Sequence, residues 1–64
     1  MTKNEAISRA FQDAHASMAD SGQDYAFAVE GVDDNSWYVS ANKPSLRLGK
    51  VIECRASDGK TYHA

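Results

Sequence analysis

The apolar residues of this chain change period at Gly22, and that change points to one helix followed by short strands. Before it, Ile7, Phe11, Ala14 and Met18 recur at intervals of four, three and four. Such intervals line up one face of an α-helix, because successive residues turn by about 100°. After it, Tyr25, Phe27 and Val29 alternate with Ala26, Ala28 and Glu30, which is the period of a strand.

The helix is expected from about Lys3 to Asp20. Thr2 and Glu5 have the spacing of a capping box, and Gly22 suits the left-handed position past the C-terminus. Glu5, Arg9, Gln12, Asp13, Ala16 and Asp20 lie on the face opposite the apolar stripe, with Glu5–Arg9 and Arg9–Asp13 as i,i+4 pairs. Further along, Gly31 to Ser36 reads as a turn. Trp37 to Ala41 reads as a second strand, broken by Pro44. Leu46 to Ala56 reads as a longer strand, with Gly49 as a bulge that corrects its phase. Asp58-Gly59 signals a two-residue type I′ hairpin that would pair Ser57 with Lys60, Ala56 with Thr61, Arg55 with Tyr62 and Cys54 with His63.

The fold class that follows is α+β, with one N-terminal helix packed on a three- to four-stranded antiparallel β-meander. Ile7, Phe11, Ala14 and Met18 would meet Phe27, Val39, Leu48 and Ile52. At 64 residues the chain is a single domain, and a domain of this size buries only about 60% of its unfolded surface. One core then takes nearly every apolar side chain, which leaves little for a deep catalytic cleft. The expectation is a protein without enzymatic activity and without a cofactor.

The chemical motifs are sparse. Cys54, His63 and His15 are too few for a four-ligand structural zinc site, and His63 lies too near a terminus to orient a thiol nucleophile. No metal site is expected. The lone Cys54 cannot close an internal disulfide, and the run Tyr25 to Val29 is far shorter than the roughly 20 residues of a membrane helix. The expected setting is the reducing cytoplasm, away from membranes. Asp33-Asp34-Asn35-Ser36 lacks the spacing of a calcium loop and reads as a turn.

Charge is the informative feature. Residues 1–34 carry seven acidic against two basic side chains, and residues 35–64 carry five basic against two acidic. Asp20 stands in the last helical turn and Asp24 just beyond it, where carboxylates oppose the helix dipole. Glu5, Asp13, Asp20, Asp24, Asp33 and Asp34 are therefore the candidate partner-binding residues.

In size, α+β layout and acidic helix face, the whole chain resembles the small phage-encoded inhibitors of bacterial defence, the anti-CRISPR proteins among them. That group has no diagnostic motif, so the resemblance assigns no residue roles. It implies an inhibitor acting in the host cytoplasm on a protein or nucleoprotein complex, by blocking a basic nucleic-acid channel in the manner of a DNA mimic. A net charge of −2 and a basic C-terminal half depart from a strong mimic. The alternative is a regulatory module that binds nucleic acid or a peptide through a sheet face bearing Tyr38, Arg47, Arg55 and Tyr62. Free sheet edges in so small a protein also allow a homodimer.

Overall fold

A computed structural model describes residues 1–45 and 49–63. One helix, α1 (Lys3–Ser21), precedes four strands: β1 (Tyr25–Val29), β2 (Tyr38–Ser40), β3 (Val51–Arg55) and β4 (Thr61–His63). All strand pairs are antiparallel, and the helix lies on one face of the sheet. The α+β class expected from the periodicity is the observed one.

Both helix ends follow from their caps. The Thr2 hydroxyl accepts from the Glu5 amide, and the Glu5 carboxylate accepts from the Thr2 amide at 2.9 Å, so each satisfies a donor the helix leaves open. At the other end Gly22 adopts φ 84° and donates to the Ser17 and Met18 carbonyls.

The strand order is β2-β1-β3-β4, which differs from the expected meander. The reason lies in β1. Ala26, Phe27, Ala28 and Val29 are all buried, so this strand is covered on both faces. A strand apolar at both parities belongs inside a sheet. The short, partly exposed Tyr38–Ser40 takes the edge instead.

The helix also sits differently on the sheet. Its buried stripe is Ala6, Ala10 and Ala14, with Ile7 and Phe11 half-buried beside it and Met18 39% exposed. By helical geometry this stripe is turned about 70° from the Ile7–Met18 line. The alanines pack on Ala26 and Ala28 of β1, with Ile52, Cys54 and Trp37 completing the cluster. Phe27 faces away from the helix and is buried with Val29 and Val51, against Tyr25. Small residues on both sides let helix and sheet backbones approach, so the large side chains of β1 turn to the opposite face. Leu48, the remaining expected contact, lies outside the described residues.

The last hairpin keeps its faces but shifts its register. Cys54 opposes Thr61, Glu53 opposes Tyr62 and Ile52 opposes His63. Ala56 to Gly59 form a four-residue connection closed by Arg55 and Lys60, whose backbone groups hydrogen-bond at 3.1 Å. A type I′ turn needs positive φ at both Asp58 and Gly59, and only Gly59 has it, at 68°. The two-residue slip preserves parity, so Arg55 still lies over the Tyr62 ring, 4.2 Å from its centroid. Gly49 is not a bulge inside a strand, because β3 begins at Val51. It lies where a Cβ would collide with the Glu30 side chain.

Replacing Ala10 by Leu forces a large side chain into the helix–sheet contact and is expected to cost about 1–3 kcal/mol. Replacing the half-exposed Met18 by Ala should cost under about 1 kcal/mol. Urea unfolding followed by circular dichroism compares the two. The order reverses if the Ile7–Met18 line is the buried one.

Candidate protein-binding surface

The six acidic side chains marked by the sequence do different jobs in the fold. Glu5 is held by the cap, and the hydrogen bond its carboxylate accepts from the Thr2 backbone N–H lowers its pKa. Asp33 accepts from the Ser36 hydroxyl at 2.8 Å and the Asn35 amide at 2.9 Å. Those bonds tighten the β1–β2 loop and lower the pKa of Asp33. Asp24 accepts from the Ser57 hydroxyl at 2.6 Å and so ties the helix–strand link to the β3–β4 turn.

Asp13, Asp20 and Asp34 are left with less structural employment. Asp13 pairs with Arg9 at 3.2 Å across one exposed helical turn, a contact worth only a few tenths of a kcal/mol. Asp20 is exposed, and no basic residue shares its last helical turn. Its carboxylate accepts no hydrogen bond and forms no ion pair among the described residues. Asp34 is exposed at the wall of a cavity of about 450 Å³ by the helix N-terminus. Lys3, Lys50, Glu30 and Trp37 share that wall, so charges of both signs meet there.

The fold does not gather these six residues into one patch. Along the helix, Glu5 and Asp20 are separated by about 22 Å at 1.5 Å per residue. Asp33 and Asp34 stand at the helix N-terminal end of the molecule, and Asp20 and Asp24 stand at the other. The turned alanine stripe also moves the helix acids around the wheel. Asp13 and Asp20 fall about 60° and 80° from its centre, while Glu5 falls about 140° away. The two later acids therefore form a flank beside the sheet. The face pointing directly away from it carries Ser8, Gln12 and Ala19, all exposed and uncharged.

The remaining chemical candidates are placed apart. Cys54 is buried and faces Thr61, while exposed His63 lies opposite Ile52. Burial pushes the Cys54 thiol up to about 11, away from the thiolate a nucleophile requires. Among the described residues no three His, Cys, Asp or Glu side chains come together as metal ligands. None of their helices is long and apolar enough to cross a membrane.

The sheet face opposite the helix brings Tyr38, Arg55 and Tyr62 to one side, and Arg47 lies outside the described residues. Arg55 is bound by Glu53 and stacked on Tyr62, whose hydroxyl donates to Asp58. These contacts raise the pKa of Arg55 and of Tyr62 and lower that of Asp58. The centre of this face is taken by buried Phe27, Val29 and Val51.

Comparison with known proteins finds no match for this chain: no family model, no curated protein and no solved structure is similar to it. The residues that sequence patterns missed are those of the N-terminal cavity. Lys3, Asn4, Trp37 and Lys50 come from three separate segments, and no local spacing announces their meeting.

The lowered pKa values of Glu5, Asp33 and Asp58 fix a sign for stability against pH. Each carboxylate binds its proton less readily when folded, so its contribution is present above the ordinary carboxylate range and is lost as pH falls through it. Chemical denaturation at a series of pH values should show stability falling below about pH 4. Glu5→Gln together with Asp33→Asn should flatten that fall. An unchanged acid limb in the double variant would contradict the assignment.

Proposed function

We propose that this protein acts by binding a macromolecular partner, with the helix flank at Asp13 and Asp20 as its electrostatic contact. One observation carries the reading. Asp20 sits at the negative end of the helix dipole with no base in its turn and no partner among the described residues. A carboxylate there costs stability, so its place is understood if it serves a contact outside the fold. Asp13, half-buried and only weakly held by Arg9, extends the same flank.

Such a flank suits a basic surface, and spaced carboxylates compete for sites that otherwise hold a phosphate backbone. The proposal is a non-enzymatic inhibitor in a host cytoplasm that occupies a basic nucleic-acid channel, in the manner of the phage-encoded inhibitors the sequence resembles. Asp24 stands at the same end of the molecule as Asp20 and adds charge there. Glu5, Asp33 and Asp34 stand at the other end, where they would meet a second part of a large partner.

The test is affinity capture from a bacterial lysate with tagged protein, followed by elution with rising salt. The expected result is one nucleic-acid-handling complex, released by salt and displaced by added DNA. Asp13→Lys together with Asp20→Lys should weaken its retention at least about tenfold, with helix content unchanged by circular dichroism. Equal retention by the folded double variant would refute the proposal.

A further inference from the structure

We propose that Asp58-Gly59 is a site of aspartyl isomerisation that the β3–β4 turn holds closed, with the Tyr62 hydroxyl as its latch. The reaction needs only these two residues and water. The Gly59 nitrogen attacks the side-chain carboxyl carbon of Asp58, the N–H proton and the carboxyl hydroxyl leave as water, and a cyclic imide closes. Water then opens the ring at the main-chain carbonyl, so the backbone runs through the former side chain and a free carboxyl remains on the α-carbon. Water is released once and consumed once, and nothing is oxidised or reduced. Glycine hinders such an attack least, because it has no Cβ. Nothing lies within 4 Å of where a Cβ would stand at Gly59. Ser57, Asp58, Gly59 and Lys60 are all exposed, so water reaches the turn.

The folded turn opposes both halves of the attack. The Gly59 N–H donates to the Arg55 carbonyl at 2.9 Å, so the nucleophile is engaged. The Asp58 carboxylate accepts from the Lys60 amide at 2.9 Å through Oδ1 and from the Tyr62 hydroxyl through Oδ2. Both oxygens are therefore held away from the reaction. Bonds of this kind favour the ionised carboxylate, from which no hydroxyl can leave. Tyr62 is in turn fixed by the Arg55 guanidinium over its ring, and Glu53 binds that guanidinium. Behind the turn, Asp24 accepts from the Ala56 amide at 2.7 Å through its carbonyl and from the Ser57 hydroxyl at 2.6 Å through its carboxylate. Isomerisation would lengthen the main chain of residue 58 by a carbon and move the carboxylate that Lys60 and Tyr62 bind. The ties between the turn and β4 would then be lost.

Ageing the full chain at neutral pH, in buffer and in guanidinium chloride, tests the closed site. Peptide separation with mass spectrometry reads isoaspartate at residue 58, which changes retention and leaves mass unaltered. Isomerisation should be at least about tenfold slower in buffer than in denaturant. Tyr62→Phe keeps the ring beside Arg55 and removes the hydroxyl, and in buffer it should isomerise at least about twofold faster than the natural chain. A folded Tyr62→Phe that ages at the natural rate overturns the latch. Equal rates in buffer and denaturant, or no isoaspartate at residue 58 in either, overturn the site. Hydrogen exchange on the natural chain gives a reading that needs no variant. The Gly59 and Lys60 amides should exchange at least about tenfold more slowly than in an unstructured chain, and unprotected exchange at both would also overturn the proposal.

Discussion

The close contact between two sets of alanines organises this molecule. Ala6, Ala10 and Ala14 have no solvent exposure, and they rest on the nearly inaccessible Ala26 and Ala28 of β1. Small side chains at these five positions let the helix pack against β1, with Trp37, Ile52 and Cys54 completing the cluster around them. That condition sends Phe27 and Val29 to the far face. It makes β1 apolar on both sides and therefore internal to the sheet. It also turns the helix so that its later acids flank the sheet.

Much of this architecture is legible in the sequence, for identifiable reasons. The capping box at Thr2 and Glu5 and the left-handed cap at Gly22 are local chemistry, and they place both helix ends. Alternation places β1, and the break after Pro44 separates β2 from β3. What the sequence conceals is the choice between faces. Alanine is a weak marker of burial because it carries little apolar area, so the expected stripe of Ile7, Phe11, Ala14 and Met18 caught Ala14 but ran beside Ala6 and Ala10, with Met18 left exposed. The hairpin register escaped for a related reason. Asp58-Gly59 signals a tight turn, but Asp58 keeps a negative φ and instead receives bonds from the Lys60 amide and the Tyr62 hydroxyl.

The acidic residues show why a charge count is a weak map of a surface. Seven acids in the first 34 residues read as one field, yet Glu5, Asp24 and Asp33 complete a cap, a tie between turns and a loop. Those are tasks that folding itself demands. Asp20 has none, and its position at the helix C-terminus works against the backbone dipole. Stability and charge placement disagree at this one residue, which is where a functional reading finds its best purchase. The absence of any matching family leaves that reading to rest on this residue's own physics.

The measurement that tests this most directly is the thermal stability of Asp20→Lys at low salt. If Asp20 has no role in folding, lysine at this position meets the negative helix end and raises stability by about 0.3–1 kcal/mol. If the variant is instead less stable than the natural chain, Asp20 contributes to the fold, and the case for the helix flank as a binding surface fails.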